Sequence, residues 1–163
     1  MPLPSFVTEA IARLETAGFE AVAVGGCVRD MLAGNPPHDY DLATAATPDE
    51  ICRVFAGERL VETGLKHGTV TVLLSGEPLE ITTYRKDGTY SDGRRPDSVT
   101  FSRSLKDDLS RRDFTVNAMA YSPRRGLRDP FGGEADLRSG RLRTVGNPAD
   151  RFREEMRGRS PCP

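Results

Sequence analysis

Apolar residues near the N-terminus recur at helical spacing, with Val7, Ala10, Ile11, Leu14 and Ala17 following i, i+3, i+4 steps. Ser5 stands where an N-cap belongs and Gly18 where such a helix stops. Phe19 to Val24, apolar apart from Glu20, predicts a buried strand that ends abruptly at Gly25-Gly26. A second helix is predicted from Cys27 to Gly34, before the Pro36-Pro37 break. Asp39 to Thr44 reads as a short strand. Thr47 then caps a helix running to Phe55, with Pro48 at its first position.

The middle of the chain changes period. Thr69 to Leu74 and Leu79 to Tyr84 alternate as strands around Ser75-Gly76-Glu77-Pro78, a hairpin turn. Residues 85 to 98 are polar, glycine-bearing and without period, and predict a mobile loop. Short helices are predicted at Leu105 to Leu109 and Asp113 to Tyr121, followed by turns around one more strand. Helices and strands mix without regular βαβ alternation. The expected fold is therefore α+β, a small mixed sheet packed against helices.

Composition narrows the class. With 163 residues, 37% hydrophobic and 29% charged, the chain has room for one globular domain with its own core. A net charge of −1 excludes a protein that coats nucleic acid through bulk charge. Phosphate binding would have to come from local pairs such as Arg94-Arg95, Arg111-Arg112 and Arg124-Arg125. The three cysteines, Cys27, Cys52 and Cys162, follow no metal-ligand spacing and point to a reduced, cytoplasmic setting. Neither a signal peptide nor a membrane span is expected.

Candidate chemistry lies in the acidic residues. Asp39 and Asp41, two apart on a strand, leave the same face, while Tyr40 and Leu42 leave the other. Adjacent carboxylates repel unless cations separate them, and a pair of Mg²⁺ ions is the usual solution in phosphoryl transfer. Glu80, flanked by the apolar Leu79 and Ile81, would add a third carboxylate if its strand lies beside Asp41. Taken alone, a D-x-D pair is equally the mark of a solvated strand edge.

Val22 to Asp30 reads strand, Gly-Gly turn, helix start, a junction where backbone N–H groups can approach phosphate oxygens. Arg29 in the first helical turns could fork onto a triphosphate. A plain tight turn is the alternative. A Rossmann loop is not, because the G-x-G-x-x-G spacing is missing.

In combination these features resemble the polymerase-β-like nucleotidyltransferase superfamily, and within it the bacterial tRNA nucleotidyltransferase and poly(A) polymerase family. Gly25-Gly26-Cys27-Val28-Arg29-Asp30 with Asp39-Tyr40-Asp41-Leu42 is similar to that family's first motif, and Arg111 to Ala118 to its ribose-binding motif. Asp129-Pro130-Phe131-Gly132-Gly133 through Leu137 resembles the turn joining head to neck, and His67 to Val70 the run before the central hairpin. The resemblance implies that Asp39 and Asp41 hold Mg²⁺, with Glu80 near the metal that activates the attacking hydroxyl. It implies that Gly25, Gly26 and Arg29 hold the triphosphate, and that Arg112, Asp113 and Asn117 contact ribose and phosphates. It also implies that the loop from Arg85 to Ser98 helps incorporate the terminal adenosine.

The implied activity is transfer of CMP and AMP from CTP and ATP to the 3′ end of tRNA. Poly(A) addition, and a fragment that binds nucleotide without turnover, are the alternatives. Residues 1–145 are expected to form the catalytic head and 146–163 the start of a helical neck. There the pattern departs from the family: Glu155 stands where Asp is expected and Gly158 where an Arg should follow, so the neck reads as truncated.

Overall fold

The computed structural model describes residues 1–64, 67–87 and 99–146. Helix α1 (Ser5–Thr16) buries Val7, Ala10, Ile11 and Leu14, the stripe its spacing predicts. Ser5 is its first residue rather than its cap; Pro4 precedes it, and the Val7 and Thr8 amides donate to the Pro4 carbonyl. Gly18 closes the helix at φ 95°.

Strand β1 (Ala21–Val24) is buried on both faces. Ala21 and Ala23 join a core built with α1, whereas Val22 and Val24 join a second core on the opposite face. The period of two thus sends alternate residues into two layers. Helix α2 (Gly26–Leu32) and helix α3 (Pro48–Val54) pack on the first core. In α3, Thr47 and Glu50 form a reciprocal capping box with Pro48 at the first turn.

Strand β2 spans Asp41–Thr44, so Asp39 and Tyr40 precede the strand instead of opening it. Strands β3 (Arg59–Gly64), β4 (Thr69–Leu74) and β5 (Glu77–Thr83) follow. The turn between β4 and β5 is two residues, Ser75 at φ 52° and Gly76 at φ 78°, the paired positive values that suit hairpin twist. Strands β6 (Arg85–Asp87) and β7 (Val99–Phe101) pair as a separate ribbon, so β7 follows the expected loop, whose first three residues are β-structure. Its remainder, 88–98, lies outside the described residues.

Helix α4 (Leu105–Ser110) lies on the second core. The helix predicted for Asp113 to Tyr121 is absent. A single 3-10 turn, Thr115–Asn117, is followed by strand β8 (Ala120–Ser122), because β1 offers an open edge that pairs Ala23 with Tyr121 and Val24 with Ala120. Strand β9 (Gly126–Arg128) and helix α5 (Gly133–Arg138) complete the order, the latter where turns were expected.

Among the described residues the main sheet runs β3-β4-β5-β2-β1-β8-β9. Every neighbouring pair is antiparallel except β2 and β5. The expected mixed sheet on helices is the observed architecture. The predicted neck segment lies almost wholly outside the described residues.

Candidate active site

Three strand ends meet at one place. Val24 pairs with Asp41 on one side and Ala120 on the other, and Asp41 is in register with Glu80 across the parallel pair. The parallel alignment is what brings Glu80 alongside the aspartate. Leu79 and Ile81 are buried and Glu80 is exposed, as alternation requires. Leu42 is fully buried, while Tyr40 packs edge-on against Phe6 at 6.2 Å between ring centres.

The Asp41 carboxyl is pushed above the ordinary aspartate range. Partial desolvation is the largest cause, followed by repulsion from Glu80; Arg112 opposes the shift and Asp39 adds to it. Asp39 and Glu80 are therefore close enough to act on Asp41. Among the described residues, however, no three metal-capable side chains converge into a preformed cage. The donor set is all oxygen, which suits Mg²⁺, and Mg²⁺ is commonly held by one or two carboxylates plus substrate phosphates.

Next to the acids is a cleft of about 390 Å³ lined by Gly25, Gly26, Arg29, Asp41, Arg111, Arg112, Asp113 and Asn117. Seven of these are the residues the sequence singled out; Asp39 and Glu80 stand outside the lining, beside Asp41. Gly25 has φ 75° and ψ −135°, a conformation that excludes a side chain without strain, and its amide donates to the Met119 carbonyl at 3.2 Å. A Cβ on Gly25 would stand 3.3 Å from Arg112 Nη1, and one on Gly26 3.4 Å from Arg29 Nη2. The two glycines are thus the surface against which two guanidinium groups lie.

Arg29 Nη1 donates to Asn117 Oδ1 at 2.8 Å, joining the Gly-Gly helix to the 3-10 turn, and its Nε donates to Asp30. Arg112 pairs with Asp108 rather than with its neighbour Asp113. Its Nη2 donates to Asp108 Oδ2 at 3.1 Å, while its Nε is buried without a protein partner. Arg111 Nε donates to Asp108 Oδ1 at 3.2 Å.

The turn after β9 buttresses this arrangement. Asp129 accepts from the Gly133 and Glu134 amides and so caps α5 from outside the helix. A Cβ on Gly133 would collide with the Thr115 carbonyl, so only glycine lets α5 reach the turn carrying Asn117. Asp136 accepts from Thr115 Oγ1 at 2.6 Å and from Arg143 Nε at 3.0 Å.

Asp108 was missed as a site residue, and Arg111 was named only within the Arg111-Arg112 pair and the motif it opens. The signal was present: Leu105, Asp108 and Leu109 occupy one helix face at i, i+3, i+4, which puts a carboxylate on an apolar stripe. Cys27 also adjoins the site, its thiol donating to the Val24 carbonyl. Burial pushes that thiol above its ordinary range.

A mixed sheet bearing acids on adjacent strands, beside a Gly-Gly turn faced by arginines, is the architecture of a polymerase-β-like nucleotidyltransferase head. The poly A polymerase head domain family matches residues 21–143, and the chain belongs to that family. A CCA-adding enzyme of Limosilactobacillus fermentum is 52% identical over 145 residues, covering 89% of this chain and 36% of that protein. The crystal structure of the Bacillus stearothermophilus CCA-adding enzyme in complex with CTP superposes with a TM-score of 0.85 at 42% identity. That match covers 96% of this chain and 38% of the other. The Thermotoga maritima CCA-adding enzyme complexed with tRNA matches at a TM-score of 0.66 and 28% identity, over 86% of this chain and 32% of the other. The chain thus spans little more than a third of the curated relatives it matches.

Proposed function

We propose that residues 1–145 are the catalytic head of a tRNA nucleotidyltransferase that adds CMP and AMP, from CTP and ATP, to the tRNA 3′ end. The observation that carries the reading is the cleft in which Gly25, Gly26, Arg29, Arg112, Asp113 and Asn117 meet the Asp41 carboxylate. The relatives support the choice of CCA addition over poly(A) addition, because those matched at about half identity are CCA-adding enzymes.

In this reading the two glycines let the triphosphate approach the backbone closely, and Arg29 and Arg112 fork onto its oxygens. Asp113 and Asn117 meet the ribose. The RNA 3′-hydroxyl attacks the α-phosphorus in line, forming a new P–O bond as the bond to pyrophosphate breaks. Asp39 and Asp41 would hold Mg²⁺, with Glu80 beside them, and the bound ion would supply charge neutralisation and activation of the hydroxyl. The two free cysteines among the described residues accord with a cytoplasmic setting, and none of those residues forms a helix long and apolar enough to cross a membrane.

The test has two arms. Calorimetry with CTP and Mg²⁺ reads the cleft, and labelled CTP with tRNA lacking its 3′ terminal nucleotides reads transfer. Binding that ignores the triphosphate, with CTP no tighter than CMP, would contradict the proposal. Binding without transfer would favour the second reading, a nucleotide-binding head that does not turn over.

A further inference from the structure

Asp108 is fully buried, and nothing in the proposed reaction uses it. Each of its carboxylate oxygens is occupied by groups from different parts of the site. Oδ2 accepts from Arg112 Nη2 at 3.1 Å. Oδ1 accepts from Arg111 Nε at 3.2 Å and from the Arg85 backbone amide at 3.3 Å, at the first residue of β6. Its neighbour Asp107 faces the same ribbon, accepting from Ser102 Oγ at 2.6 Å and pairing with Lys86 Nζ at 3.6 Å. Helix α4 therefore carries two adjacent acids in its first turn, one facing the β6–β7 ribbon and one shared between that ribbon and the cleft arginines.

A buried carboxylate that receives two guanidinium groups at i+3 and i+4 fixes both in direction as well as in place. Arg112 is held so that its Nη1 faces Gly25, and its Nε remains buried with no protein partner. We infer that Asp108 is a positioning residue for the triphosphate: it aims Arg111 and Arg112 into the cleft and ties their orientation to the root of the β6–β7 ribbon. The inference rests on the nucleotide-binding reading above, with the triphosphate as the ligand that feels it.

Charge and geometry here predict opposite signs, which makes the inference testable. Asp108→Asn removes a negative charge beside the cleft, so electrostatics alone would tighten binding of a polyanion. It also replaces an acceptor by an amide or leaves it ill-matched against Arg112, so the arginine loses its aim. The experiment is calorimetry of CTP and CMP, each with Mg²⁺, on the unmutated chain and on Asp108→Asn, with hydrogen exchange of the Arg85 amide read in parallel.

The expected result is CTP weakened roughly tenfold, about the effect of one misdirected charge-assisted hydrogen bond, with CMP unchanged and the Arg85 amide exchanging faster. Tighter CTP binding would reduce Asp108 to a counter-ion and overturn the inference. Equal weakening of CTP and CMP would make its role one of general stability, and no change would remove it altogether. If the Asn variant does not fold, Asp108→Glu keeps the charge, displaces the oxygens by one methylene, and is read by the same CTP-to-CMP ratio. An unmutated chain without preference for CTP sinks the functional reading and the inference with it, and does so before any substitution is made.

Discussion

Gly25 and Gly26 are adjacent, line the same cleft and face one arginine each, yet the same substitution should act on them with opposite sign. At Gly25 the backbone sits at φ 75° and ψ −135°. An alanine there is strained whatever the space around it, at a cost of about 1–3 kcal/mol. Its Cβ would also press on Arg112 Nη1 from 3.3 Å, displacing a group already anchored at its other end by Asp108. For a domain of this size roughly 2–4 °C accompanies each kcal/mol, so Gly25→Ala should lower the unfolding midpoint by about 2–12 °C. CTP affinity should fall by roughly tenfold as Arg112 is pushed aside. Gly26 is the first residue of α2 and has ordinary helical backbone, so alanine recovers helix propensity, at most about 1 kcal/mol and less in a first turn. Its Cβ meets only the flexible end of Arg29, at 3.4 Å. Gly26→Ala should therefore match or slightly exceed the parent in stability while still weakening CTP. Circular dichroism melts and calorimetry on both variants decide it. Equal loss of stability at the two positions would refute the backbone argument, and unchanged CTP binding in both would refute the placement of the arginines.

If Arg112 meets parts common to both nucleotides, as proposed, Arg112→Ala should weaken CTP and ATP alike by one to two orders of magnitude, about 1.4–2.8 kcal/mol; calorimetry showing loss for one nucleotide only would exclude that contact. Asp41→Asn should abolish Mg²⁺-dependent transfer wherever the unmutated chain transfers. Because the Asp41 carboxyl is raised by desolvation and Glu80, its ionised form destabilises the fold at neutral pH and is relieved as pH falls through the raised value. The Asn variant should thus be the more stable without Mg²⁺, and only the parent should gain stability on adding it; parallel Mg²⁺ responses in thermal melts would count against the metal assignment. Asp136 has the reverse sign: the Thr115 hydroxyl, with Arg143 in a lesser role, holds its carboxyl below the usual range. That contribution is present above the ordinary aspartate value and lost as pH falls through the lowered one, so the stability gap between parent and Asp136→Asn should close in acid, and pH-independent gaps in urea midpoints would disprove it.

What the sequence made legible was whatever local chemistry decides. Although Glu77 and Pro78, expected in the turn, belong to β5, the Thr47 cap of α3, the α1 stripe and the presence of a hairpin turn at Ser75-Gly76 all follow from residues within a few positions of one another. So does the exposure of Glu80 between Leu79 and Ile81. What it obscured was decided by distant partners. Ala120 to Ser122 carries no strand signal stronger than its helical one, and becomes β8 because it pairs on the edge of β1 beside the Gly25 amide that donates to the Met119 carbonyl. Helix α5 is six residues between glycines, too short to declare itself, and its cap is Asp129, four residues before the first helical amide. Asp39 shows the opposite error, in which a D-x-D pattern lengthened a strand that begins at Asp41.

The two charges of the site come from structurally separate sources. Asp41 and Glu80 ride on the sheet, where the β2–β5 register sets them side by side, and Asp39 lies just ahead of β2. The bases come from α2 and from the segment between α4 and the 3-10 turn, and each is aimed by a specific polar partner: Arg29 by Asn117, Arg111 and Arg112 by Asp108. Rigid placement suits the acids, because a cation-binding pair needs constant separation while its mutual repulsion is neutralised. Hydrogen-bonded placement suits the arginines, because a guanidinium fork is useful only when its plane is set before the phosphate arrives. The glycine turn is where the two systems touch, since Gly25 follows the β1 residue paired with Asp41 and lies against Arg112. A substitution on the sheet side should therefore change metal response without changing arginine geometry, and one on the α4 side should do the converse. Gly25 is the position from which both would be disturbed together.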